Sequence, residues 1–213
     1  MNSAALRVRL LGGGVDGNGW LTTATGIVLI VLLAVLGVTI VRIGQLIWLH
    51  LFLGVLLVGP VALKMASTGY RFARYYTGNR RYVEHGPPIW ALRSIAPVVV
   101  ATTAIVFASG IVLLFLTPRD RGPWQSIHKV SFIVWIVFTA LHVLGHVPRV
   151  GELLRAPRTA DRGHSLSGGD GAAGRWIALA GAIVAGAVVA VVLIPHFGAW
   201  TAPGALHHHH HHD

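Results

Sequence analysis

The sequence lacks cysteine altogether and is poor in charged residues. Without cysteine the chain can form no disulfide, no thiolate metal site, no cysteine-ligated iron–sulfur cluster and no covalently attached c-type haem, and it has no cysteine nucleophile. Charged residues make up 11% of its 213 positions, whereas a soluble domain typically carries about 25%. Hydrophobic residues make up 54%. Because so few polar side chains cannot cover a soluble globule, the composition predicts a chain embedded in a lipid bilayer.

Acidic residues are especially scarce. The chain has 7 acidic residues against 17 basic ones, which gives a formal net charge of +10. The basic residues stand at the ends of apolar segments and form no continuous stripe, so we predict no nucleic-acid binding. Residues 207–213 are predicted to be an affinity tag, which removes six of the 13 histidines from any argument about ligands.

Five apolar runs are long enough to cross a bilayer, since a spanning helix needs about 20 mostly apolar residues. They cover residues 23–41, 45–65, 94–116, 126–147 and 175–194. The sequence therefore predicts an all-α integral membrane protein with five transmembrane helices. In the fifth run, the pairs Gly181/Ala185 and Ala182/Gly186 have the small-xxx-small spacing that favours close helix packing. We expect this helix to pack beside the other four or at an oligomer interface.

The basic residues also predict an orientation. Thirteen of them fall on one side of the predicted spans and four on the other. The positive-inside rule assigns the richer side to the cytoplasm. This predicts a multi-pass protein of a prokaryotic plasma membrane, with the N-terminus inside and the C-terminus outside. The expected organisation is a cytoplasmic segment over 1–22, a four-helix bundle over 23–148, a cytoplasmic linker over 149–174, and a fifth helix with an outer tail over 175–206.

Four histidines lie within the predicted spans, where ionisable residues are rare and mark functional sites, and the last of them, His146, is expected at the cytoplasmic surface. His50 and His128 stand near the outer ends of the second and fourth spans, which run in the same direction. At similar depth, their imidazoles could supply both axial ligands of one b-type haem. Gly54, one turn after His50, would leave room for a flat porphyrin. His142 follows His128 by fourteen residues, which places both on one helix face about 21 Å apart, a spacing that suits two haems stacked across a bilayer.

Residues 45–148 resemble the di-haem membrane cytochrome b proteins, the four-helix subunits that anchor formate dehydrogenases, hydrogenases and molybdopterin oxidoreductases. The resemblance rests on His50, on the pair His128/His142 and on the segment from Leu141 to His146. It implies one haem b between His50 and His128 and a second haem on His142. It also implies electron transfer between the quinone pool and a redox partner at the outer face, with a molybdopterin oxidoreductase as the preferred partner.

The sequence departs from this family at the inner haem. The family takes the second inner ligand from the cytoplasmic end of the first span, where this chain has Trp20-Leu21-Thr22-Thr23 and no histidine. Lys64, Met65 and His85 remain as candidates for that position.

Three cationic side chains are candidates for contact with the cofactor. Lys64, at a cytoplasmic helix end, is expected to snorkel to the interface or to pair with a haem propionate. Arg71 at the cytoplasmic side and Arg121 at the outer side are expected to neutralise propionates. Arg71 could instead belong to an aromatic belt and meet lipid head groups.

Other functions stay open for the same residues. One is a stand-alone haem-dependent reductase of quinone, superoxide or ferric ion. Another is a haem-free membrane scaffold or small transporter, whose histidines are hydrogen-bonded core residues. A metal site or a proton relay is a third reading of the histidines, but no Asp or Glu lies inside any predicted span. We favour an electron-transfer subunit of an oxidoreductase over a stand-alone enzyme, because the chain shows no flavin site and no dinucleotide-binding motif.

Overall fold

The computed structural model describes residues 14–84, 90–145 and 171–202, and every regular element in those ranges is helical. The α-helices are α1 Gly14–Val41, α2 Ile43–Leu56, α3 Val58–Tyr76, α4 Arg80–Glu84, α5 Trp90–Phe115, α6 Arg121–Leu144, α7 Ala172–Leu193 and α8 Gly198–Thr201. Two 3₁₀ turns, Pro118–Asp120 and Ile194–Phe197, precede α6 and α8.

Five helical segments are long and apolar enough to cross a membrane, which confirms the predicted all-α fold with five spans. They are Gly17–Val41, Ile43–Tyr76, Arg93–Phe115, Pro118–Leu144 and Ala172–Thr201. Each overlaps one predicted run. The first begins before residue 23, so part of the predicted N-terminal segment is helical. The fourth begins at Pro118 rather than at residue 126, and proline suits that place because the first helical position needs no N–H donor.

The second span is a long rod built from α2 and α3, which meet at Leu57. Its 34 residues correspond to about 51 Å at 1.5 Å per residue, whereas the hydrocarbon core of a bilayer is about 30 Å thick. The C-terminal part of α3 therefore reaches beyond the hydrocarbon core. Pro60 in α3 has no N–H, so it cannot donate to the carbonyl of Leu56.

The five spans pack as two groups. The first, second and fifth spans contact one another extensively, whereas α5 and α6 pack mainly against each other as a hairpin. The fifth span therefore packs beside other spans of the same chain, which is one of the two arrangements expected from its sequence. The helix that carries His50 and the helix that carries His128 belong to different groups.

Small residues bring the second and fifth spans into backbone contact. A side chain on Gly59 would collide with the carbonyl of Ala182, and one on Gly186 would collide with the carbonyl of Leu56. The pair Ala182/Gly186 thus supplies the close approach that its spacing predicts. Gly181 has open space where its side chain would be, so the pair Gly181/Ala185 takes no part in this contact.

The two groups are joined at one end of the bundle. This end contains Arg42, the turn between α5 and α6, and α8, and we call it the hairpin end. Arg121 is only 3% exposed, and it donates to the carbonyls of Leu116 and Ala199, each at 3.2 Å. Its guanidinium lies 3.8 Å from the ring centroid of Trp200, and the indole N–H of Trp200 donates to the carbonyl of Leu113 at 3.1 Å. These contacts hold the C-terminal end of the fifth span on the α5–α6 hairpin.

Several predicted features lie outside the described residues. They are most of the linker over 149–174, the tag over 207–213, the start of the N-terminal segment, and the candidate inner ligand His85.

Candidate functional site

His50 and His128 lie at similar depth from the hairpin end. His50 comes seven residues after Ile43, the first residue of α2, and His128 comes seven residues after Arg121, the first residue of α6. Seven helical residues correspond to about 10 Å along the axis. Both side chains are half-buried.

One ring nitrogen of His50 is engaged by a hydroxyl from the neighbouring span. Thr39 Oγ1 lies 3.0 Å from His50 Nδ1 and donates its own proton to the carbonyl of Leu36 at 2.6 Å. Because the Leu36 carbonyl is the closer of the two groups, we assign the hydroxyl proton to it; the oxygen then accepts from the ring, and Nδ1 carries the hydrogen. The other nitrogen, Nε2, then keeps its lone pair.

His128 is oriented in the same way by α5. Its Nδ1 lies 3.1 Å from the carbonyl of Val106 and 3.1 Å from Ser109 Oγ. A carbonyl only accepts, so Nδ1 must carry the hydrogen. Ser109 donates its proton to the carbonyl of Ile105 at 2.7 Å, which agrees with an accepting role toward the ring. Both histidines are therefore held as the tautomer whose Nε2 has a free lone pair, the form in which neutral histidine binds a metal.

The Nε2 atoms of His50 and His128 make no hydrogen bond to any described residue. The two rings nevertheless lie within electrostatic range of each other, although α2 packs mainly against α1 and α7, and α6 packs mainly against α5. Two ring nitrogens with free lone pairs thus stand near the boundary between the two helix groups. This is an arrangement that a flat cofactor held from both sides would use.

Two glycines shape the surroundings of these rings. A Cβ on Gly110 would lie 3.2 Å from His128 Cε1, which is tighter than most side-chain contacts, so a larger residue would press against the ring. Gly54, predicted to make room for a porphyrin, has no atom within 4 Å of where its Cβ would be. The space next to Gly54 is therefore open, and its predicted role beside a porphyrin stays a prediction.

His142 lies near the other end of α6, about 21 Å from His128 along the axis. Trp135 stands midway between the two, seven residues from each, and its indole N–H donates to Thr103 Oγ1 at 2.8 Å. The described residues contain no cluster of three or more His, Cys, Asp or Glu side chains that could hold a metal ion. The inner haem on His142 stays a prediction.

Lys64 is directed toward the first span. Its ammonium donates to the carbonyl of Thr22 at 2.6 Å and lies 3.1 Å from where a Cβ on Gly26 would be. Ser67 and Asn18 extend this polar contact between α1 and α3, since Asn18 Nδ2 donates to the carbonyl of Ser67 at 3.2 Å. The predicted role of Lys64 at a cofactor is untested, and the contact that the structure shows joins two helices.

The two candidate arginines have different surroundings. Arg121 uses Nε and one terminal nitrogen in the contacts at the hairpin end, and its buried Nη2 has no hydrogen-bond partner among the described residues. Arg71 is exposed. Neither position tests the predicted contact with a propionate.

The sequence interpretation missed the residues that orient the rings: Thr39, Val106, Ser109 and Gly110. The hydroxyl groups at 39 and 109 carried a usable signal, because a hydroxyl within an apolar span must find a partner. Nothing in the spacing shows which histidine each one meets, since the contacts cross between helices.

The chain matches no protein-family model, no curated protein and no solved structure in the comparisons with known proteins. The functional argument therefore rests on the geometry of the chain itself.

Proposed function

We propose that the protein is a membrane b-type cytochrome in which His50 and His128 hold one haem b through their Nε2 atoms. The observation that carries the proposal is the matched orientation of the two rings. Each Nδ1–H is bound by an acceptor on an adjacent helix, and each Nε2 keeps a lone pair that no described residue uses. Metal-bound histidines typically show this second hydrogen bond, which sets the tautomer and the ring orientation.

The residues of this chain perform three tasks in that proposal. The two imidazoles bind from helices of different groups, Thr39 and Val106 fix their orientation, and Gly110 and Gly54 leave space around the rings. When bound, haem supplies reversible one-electron redox chemistry at its iron. The apolar spans around the site keep water away, and low polarity is one of the means by which a protein tunes such a potential.

The proposed role is electron transfer between the quinone pool and a redox partner at the outer face. The five apolar spans among the described residues support a site within a bilayer. The proposal includes a molybdopterin oxidoreductase as that partner and a prokaryotic plasma membrane with the hairpin end outside. The excess of basic residues at the opposite end supports this orientation.

The proposal is tested by the visible spectrum of detergent-purified protein from haem-replete cells. We expect a reduced-minus-oxidised difference spectrum of a b-type cytochrome, with haem bound in a fixed ratio to the chain by pyridine haemochrome assay. A second haem per chain would require a ligand opposite His142. Colourless, folded protein would overturn the proposal and favour a haem-free scaffold or transporter.

Removing the hydrogen-bond partner of a ligand is expected to weaken cofactor binding without abolishing it. In Thr39→Val, His50 loses its one acceptor, and we expect haem affinity to fall on the order of 10–100-fold. Ser109→Ala leaves the carbonyl of Val106 in place for His128, so haem affinity should fall less in this variant than in Thr39→Val. Haem titration into apoprotein measures both. Thr102→Val is the control, because that hydroxyl bonds only to the backbone of its own helix; an equal loss in this variant would contradict the assignment.

A further inference from the structure

A second cluster of functional interest lies at the end of the bundle opposite the hairpin end. It consists of Tyr70, Arg71, Arg74 and Tyr82, and we call it the arginine–tyrosine cluster. The first three residues stand on the part of α3 that reaches beyond the hydrocarbon core, because the second span is about 51 Å long. The cluster therefore lies at the level of the lipid head groups or just outside them.

A sharp turn after α3 brings Tyr82 into the cluster. Gly78 has φ 73, and its N–H donates to the carbonyl of Tyr75 while the N–H of Asn79 donates to the carbonyl of Arg74, both at 3.1 Å. This is the Schellman pattern, in which glycine at the left-handed position ends a helix and reverses the chain. The reversal leads into α4.

The returning chain places Tyr82 against Tyr70, with ring centroids 6.1 Å apart. Burial raises the pKa of Tyr82 above its ordinary value, and Tyr70 raises it further, while Arg74 and Arg71 lower it. Both arginines are thus electrostatic neighbours of the phenol, which stays protonated at neutral pH and can donate a hydrogen bond.

Few acidic residues stand near this region in the sequence. Glu84 is the one acidic residue between positions 58 and 119, and it pairs with Arg80 at 3.0 Å. Arg71 and Arg74 make no ion pair with any described residue. A nearby guanidinium, that of Arg93, rests 5.0 Å from the ring centroid of Tyr76 and adds to the positive field.

Arg74 is partly organised before any ligand arrives. Its guanidinium lies 5.9 Å from the ring centroid of Tyr70, and its Nε is buried without a hydrogen-bond partner among the described residues. Arg71 is three residues earlier on the same helix, a spacing that puts two side chains on neighbouring positions of one face. Two guanidinium groups on one face, backed by phenols, match the oxygen atoms of a phosphate.

We propose that the arginine–tyrosine cluster is a binding site for an anionic phospholipid of the surrounding leaflet, with its phosphate held by Arg71 and Arg74. Charge complementarity supports this ligand, and so does the level of the cluster, since the phosphates of a bilayer lie just outside the hydrocarbon core. Phe72, 60% exposed between the two arginines in sequence, provides apolar surface at that level. The proposal is independent of the proposed haem site.

Native mass spectrometry of the purified full chain tests this site, with phosphatidylglycerol or phosphatidylcholine added to the detergent. We expect phosphatidylglycerol to be retained preferentially. Each basic side chain near an anionic surface accounts for roughly a fivefold change in binding, so Arg71→Gln/Arg74→Gln should weaken retention on the order of 25-fold. Arg80→Gln is the matched control, because that arginine is exposed and already paired with Glu84.

Further variants and a competitor make the outcomes decisive. Arg71→Lys/Arg74→Lys keeps the charge and the fold but lacks the planar fork, so we expect intermediate retention. Equal retention of the two lipids, or undiminished retention by the glutamine variant, would overturn the proposal. Displacement of the lipid by millimolar inorganic phosphate would also overturn the proposal, because the cluster would then be a site for free phosphate and not for a lipid.

Discussion

His50→Ala and His128→Ala are each expected to abolish the b-type spectrum of the purified protein. In the proposed site each ring would supply one nitrogen ligand to the haem iron, and no other described side chain with a free nitrogen lone pair lies beside them. Loss of either ring leaves the remaining histidine alone, and a pair of ligands from two helix groups can no longer close on one iron. The measurement is the reduced-minus-oxidised spectrum together with pyridine haemochrome per chain.

Two controls serve this prediction: a substitution of another histidine, and chemical rescue by free imidazole. His196 is exposed at the hairpin end, where its ring contacts that of Phe115 at 4.7 Å between centroids, and His196→Ala should keep the spectrum. Adding imidazole to His128→Gly should restore part of the haem, because the free ring can enter the vacated space. A variant at 50 or 128 that keeps full haem content would exclude that histidine as a ligand.

His142→Ala separates the two haem sites. If the outer site alone is occupied, this variant keeps the wild-type haem content. If the wild-type protein carries two haems, the variant loses one of them, and the partner of His142 becomes the next residue to identify.

Gly186→Leu is expected to destabilise the membrane domain strongly. A side chain at this position would meet the carbonyl of Leu56, and Gly59 meets the carbonyl of Ala182 on the same contact. Since backbone cannot move aside as a flexible side chain can, the second and fifth spans must separate. Overpacking of this kind costs about 1–3 kcal/mol or more. Unfolding by a denaturing detergent, followed by circular dichroism, measures the loss.

Gly181→Leu is the matched control for that substitution. Gly181 is in the same helix, is exposed, and has no atom within 4 Å of its hypothetical Cβ. The same added volume should therefore leave stability nearly unchanged. Similar destabilisation by both variants would show that helix propensity or insertion dominates, and would contradict the close contact as the cause.

The pairs Ala182/Gly186 and Gly181/Ala185 show what the sequence alone can predict about helix packing and what it cannot. Both pairs have the same spacing, and both predict a close-packed face. Only Ala182/Gly186 is used, because these residues face Leu56 and Gly59 of the second span, whereas Gly181 faces open space. The choice depends on the register between two helices, which spacing within one helix does not contain.

Arg121 and Lys64 show the same limit for charged residues. Both were candidates for propionate contact because they stand at helix ends on the expected sides. The structure places Arg121 beneath Trp200 and Lys64 on the carbonyl of Thr22. Long side chains can reach several neighbours, so their partners depend on which helices are adjacent.

The sequence by itself determined the membrane environment, the five helices and the depth of His50 and His128, because hydropathy and helical rise are local properties of the chain. The tertiary structure alone decided which helices are neighbours, and therefore which acceptor meets each ring. Thr39 and Val106 fix the tautomers from adjacent helices, 11 and 22 residues away from the histidines they bind. The proposed cofactor site depends on those contacts, since a free lone pair on Nε2 exists only when the other nitrogen holds the proton.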